Sequence, residues 1–113
     1  MKETYYASAT GRLKLAEADE ETELKTADLI RTGIAEHVFI EAEDDRSAVI
    51  TFEGSSLPYR EECLRELFSA LEGHCEEGDI EFCGEDRRLW CIHFSGVRGE
   101  WVRLRGRVVY EKE

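Results

Sequence analysis

The chain has 113 residues, 42% of them hydrophobic and one of them proline, which suits a single domain over residues 1–113 with one core and is too short for two. Its net charge of −11 is divided unevenly: residues 1–86 hold 23 acidic and 8 basic side chains and residues 87–113 hold 3 and 7, so most of the chain repels phosphate backbones and ordinary nucleic-acid binding is disfavoured. No apolar run approaches the roughly 18 residues of a membrane helix, the opening MKET lacks a signal-peptide core, and four cysteines without an export signal read as reduced thiols, so the expected compartment is cytoplasmic.

Residues 4–15, TYYASATGRLKL, alternate small or apolar with polar side chains, the period of a half-buried strand. Leu24, Ala27, Ile30 and Ile34 then recur at helical spacing behind a run of acidic residues that complements a helix N-terminus, which predicts an amphipathic helix over about 18–35. HVFIEAE and SAVITFEG predict two strands joined by a turn at EDDR, residues 43–46. In SSLPYREECLRELFSALEG, Pro58 suits a first helical turn, Glu61 and Glu62 follow it, and Leu64, Leu67, Phe68 and Leu71 form one apolar stripe; Gly73 or Gly78 ends this second helix. DIEFCG, LWCIHFSG and EWVRLRGRVVYE complete the chain as three strands, with a turn at Gly96 to Gly99.

The expected fold is α+β: a two-layer sandwich in which two helices cover one face of a mainly antiparallel sheet of about six strands, in the order β-α-β-β-α-β-β-β. Its first six elements have the ferredoxin-like order, which carries no functional implication. A shift of 42 residues lays Glu43, Asp44, Arg46, Ile50, Phe52 and Gly54 on Glu85, Asp86, Arg88, Ile92, Phe94 and Gly96, which suggests an internal α-β-β repeat. The expected inward set is Ala7, Ala9, Leu13, Val38, Ile40, Ala48, Ile50, Phe52, Ile80, Phe82, Trp90, Ile92, Phe94, Val102, Leu104 and Val108.

The same alternation sets Glu81, Cys83, Leu89, Cys91 and His93 on the opposite face. A turn centred near Arg87 puts Cys83 against Cys91 and Glu81 against His93, donors of the types that bind zinc. Side chains on paired strands stand parallel rather than converging, and no CxxC is present, so the two thiols are read as small apolar side chains. Cys63, His74 and Cys75 fall on or near the second helix, where adjacent residues diverge by about 100 degrees and make no nucleophile–base pair. His37 has no partner in sequence, and Asp44-Asp45 and Glu85-Asp86 are turn residues first. With no phosphate loop, dinucleotide fingerprint, nucleophile elbow or HExxH, we expect no enzyme and no cofactor.

In WVRLRGRVVY, Val102, Leu104, Val108 and Tyr110 are expected to face one way and Trp101, Arg103, Arg105, Arg107 and Val109 the other. Those arginines either pair with Glu41, Glu53 and Glu81 on the outer face or serve a contact with another molecule. The expectation is a small acidic, non-enzymatic protein-binding module, of the inhibitor or immunity type, acting on a basic partner and self-associating as a homodimer. Its contact face would be Phe39, Val49, Leu89, Trp101, Arg103, Arg105 and Arg107. The alternatives are a metal or ligand module built on the Cys/His hairpin and nucleic-acid binding by the arginine strand.

Overall fold

The structure is a computed structural model that describes residues 4–44, 47–95 and 102–107, the last stretch as backbone placement. Its elements are β1 (Tyr6–Ala16), α1 (Glu20–Gly33), β2 (His37–Asp44), β3 (Ser47–Pro58), α2 (Glu61–Leu71), β4 (Cys75–Gly84), β5 (Arg88–Ser95) and β6 (Val102–Arg107). Among the described residues they form one six-stranded sheet in the order β2-β3-β1-β4-β5-β6, with every neighbouring pair antiparallel. The two-layer α+β arrangement and the element order are those the sequence predicts. The order β2-β3-β1-β4 is the ferredoxin-like sheet, and β5 and β6 extend it past β4.

Sequence explains the helices locally. Asp19 caps α1 by accepting from the Thr22 amide at 2.8 Å and its hydroxyl at 2.7 Å, and Glu20, Glu21 and Glu23 occupy the first turn, where they meet the positive end of the dipole. α1 buries Thr26, Ala27 and Ile30; Thr26 is tolerated inside because its hydroxyl donates to the Thr22 carbonyl at 2.8 Å. Leu24, expected in the apolar stripe, is 53% exposed, because the buried face is centred two residues further along. α2 begins later than Pro58 suggested. Pro58 closes β3, and the helix stops at Leu71 with Gly73 at φ +79, the left-handed conformation glycine adopts without cost.

The core lies between the helices and one sheet face. Ala7, Ala9 and Leu13 of β1, Ile50 and Phe52 of β3, Ile80 and Phe82 of β4, and Ile92 and Phe94 of β5 meet Ile30 and Ile34 of the first helical layer and Leu64, Leu67 and Leu71 of the second. Three expected core residues are not fully buried. Trp90 and Val38 are partly buried against this cluster, whereas Ile40 is 37% exposed because β2 is the edge strand and only its start packs on the core. Val108, Trp101 and the turns at 96–99 and 45–46 lie outside the described residues.

The 42-residue offset preserves facing: Ile50, Phe52, Ile92 and Phe94 are all buried. It does not preserve place. β3 lies on the central side of β2, between it and β1, while β5 lies on the outer side of β4, so the two α-β-β units are laid out differently in the sheet.

Candidate functional site

Both helices cover the same sheet face, so the other face carries the remaining side chains of every strand. Register sorts them into rows. One row runs Phe39, Thr51, Arg12, Asp79, His93 across β2, β3, β1, β4 and β5, and its neighbour runs His37, Glu53, Thr10, Glu81, Cys91. Between them lies an open concavity of about 480 Å3 lined by Thr10, Arg12, Thr51, Glu53, Asp79 and Glu81, bounded by Phe39 on the β2 side. Phe39 is 63% exposed, the largest exposure among the large apolar side chains.

Asp79 and His93 face each other across β4 and β5, with Oδ1 and Nδ1 at 2.5 Å. This pairing replaces the expected one. The turn is a residue shorter in centre than the sequence reading placed it: the Arg87 amide donates to the Gly84 carbonyl at 3.0 Å and Arg87 sits at φ +68, a three-residue loop ending in a left-handed residue. Cys83 therefore pairs with Leu89 and Cys91 with Glu81, and the proposed quartet of Glu81, Cys83, Cys91 and His93 is dealt to three different cross-strand pairs. Among the described residues no three His, Cys, Asp or Glu side chains converge as metal ligands.

The four cysteines are free. Burial, then the carboxylates of Asp79 and Glu81, push the Cys91 thiol up from its ordinary value. Cys75 opens β4 rather than ending α2; it is buried, and burial pushes its thiol up to about 12. His74 leaves the helix too, its Nδ1 lying 3.0 Å from the Glu17 carbonyl.

The expected contact residues divide. Phe39 and Leu89 are exposed on the uncovered face, Leu89 at 36%. Val49 belongs to that face but is only 8% exposed, flanked in register by Lys14 and Glu41, and so is a covered residue rather than a contact one. In β6 the register sets Arg103 opposite Ile92, Arg105 opposite Trp90 and Arg107 opposite Arg88, while Val102 and Leu104 stand opposite His93 and Cys91.

A second cluster was not foreseen. Tyr5, Tyr59, Phe82 and Trp90 gather on the helix side at one end of the sheet, with Phe82 and Trp90 stacked at 5.1 Å and Tyr59 edge-on to both. The Trp90 Nε1 is buried and has no acceptor among the described residues. These residues come from four segments, so no local motif announces them.

No family model, curated protein or solved structure matches this chain. Among the described residues no helix is long and apolar enough to cross a membrane.

Proposed function

We propose that the protein is a non-enzymatic protein-binding module whose uncovered sheet face receives a basic segment of a partner, as an inhibitor or immunity-type protein would. The supporting observation is the concavity of about 480 Å3 in which Glu53 of β3 and Asp79 and Glu81 of β4 share a lining with an exposed Phe39 of β2. Asp79 already holds His93, which leaves Glu53 and Glu81 to take charge-assisted hydrogen bonds from lysine or arginine, each roughly twice as strong as a neutral one. An arginine laid over Phe39 would add about 0.5–1 kcal/mol. The net charge of −11 steers such a partner inward and repels nucleic acid. Four free cysteines suit a reducing, cytoplasmic setting.

The test is a titration with a short arginine- and lysine-containing peptide, followed by backbone amide shifts. Shifts confined to residues of the two rows are expected, with binding weakened at least tenfold in a Glu53→Gln, Glu81→Gln variant. Binding that is unchanged in that variant, or absent at low salt, overturns the reading.

A further inference from the structure

Among the described residues β2 has one unpaired edge. β2 is the outermost strand on its side of the sheet, and along its eight residues only Val38 is better than exposed. Its first half presents apolar side chains to both faces: Phe39, 63% exposed, on one, and Val38 and Ile40, the latter 37% exposed, on the other. The strand HVFIEAED contains no proline and no lysine, the residues that usually block an edge, and its acidic residues lie in the second half. An edge with unpaired backbone groups and apolar side chains on both faces gains hydrogen bonds and buried area together when a second strand is added.

We propose that two copies of this chain pair through β2, antiparallel about a two-fold axis at Phe39. That register sets Phe39 against Phe39 of the second copy, Val38 against Ile40, and His37, a hydrogen-bond donor, against the Glu41 carboxylate, so aromatic, aliphatic and polar pairs all fall into place at once. Other centres do worse. Moving the axis to Ile40 sets Phe39 against a carboxylate, and moving it to Glu41 sets like charges together. With the axis at Phe39 the acidic end, Glu43 and Asp44, projects beyond the paired segment. The contact lies at the sheet edge rather than on its face, and the two sheets join into one. The partner is a second copy because the strand's own pattern is self-complementary. This inference goes beyond the binding of a basic segment and shares Phe39 with that reading, but Glu53 and Glu81 take no part in it, so a dimer that persists in Glu53→Gln, Glu81→Gln separates the two.

Sedimentation equilibrium of the full chain, with circular dichroism to confirm folding, reads the association. A dimer is expected whose dissociation constant rises at least tenfold in Phe39→Lys, a change at an exposed position, with the spectrum unaltered. His37→Glu should weaken the dimer by setting like charges together, and His37→Glu with Glu41→Lys restore it, because opposite charges then face each other in the same register. Register is read by cysteine: in a Cys83→Ser background, Phe39→Cys should give a disulfide mapped by mass spectrometry to position 39 of both chains, whereas Ile40→Cys should not link to itself. A monomer at millimolar concentration, a dimer indifferent to Phe39→Lys, or a self-link at position 40 instead of 39 overturns the proposal.

Discussion

The Tyr5 hydroxyl donates to Asp86 Oδ1 at 2.5 Å across 81 residues of sequence, tying the chain before β1 to the β4–β5 turn. Burial, then this bond, pushes the Tyr5 phenol from 10.0 up to about 12, and the same bond, with help from Arg88, holds the Asp86 carboxyl below its ordinary 3.8. Folding therefore binds the Tyr5 proton more tightly and the Asp86 proton less tightly. The tyrosine's contribution is complete below pH 10.0 and is lost as the pH climbs toward 12; the aspartate's is complete above pH 3.8 and is lost on acidification. In melting curves against pH, Tyr5→Phe should lie below the wild type between those limits, with the gap closing at both ends. A gap independent of pH would mean that the hydroxyl is not the source.

Gly11 is a core position without a side chain. A Cβ there would come within 2.2 Å of the Phe52 ring, which lies over it from the neighbouring strand. Gly11→Ala should cost about 1–3 kcal/mol through displacement of that ring, measured by urea unfolding. Gly11→Ala with Phe52→Leu should recover part of the loss if the ring is the obstacle.

The helices touch where Gly33 meets Cys63: a Cβ on Gly33 would lie 2.6 Å from the thiol sulfur. Gly33→Ala ought to lower the melting temperature, and a second change, Cys63→Ala, ought to raise it again, since the two positions compete for one space. Additive losses would place the strain elsewhere.

Thiol alkylation should follow exposure and thiolate character. Cys83 is exposed and should react first with iodoacetamide; Cys63 and Cys91, both pushed up chiefly by burial, should follow; Cys75 should react only when the protein unfolds. Peptide mapping over time reads the order.

Chelator should leave the melting curve unchanged, because the cross-strand pairs separate Cys83, Cys91 and His93 rather than converging them. A fall of several degrees with chelator, reversed by zinc, would restore the hairpin as a metal site.

The alternation of TYYASATGRLKL and the stripe Leu64, Leu67, Leu71 determined by themselves that β1 has one buried face and that α2 packs by one side, because each periodicity follows from the geometry of its own element. Element order followed as well, and with it the two-layer arrangement. Register did not. Period two says that Cys83 and Cys91 share a face, but their partners depend on the three-residue loop that Arg87 closes at φ +68. Asp79 against His93, the aromatic cluster under Trp90 and the open edge at Phe39 are relations between segments far apart in the chain. They exist only once the sheet has ordered its strands, because pairing is settled by the burial of all the strands together and by no one strand's own sequence.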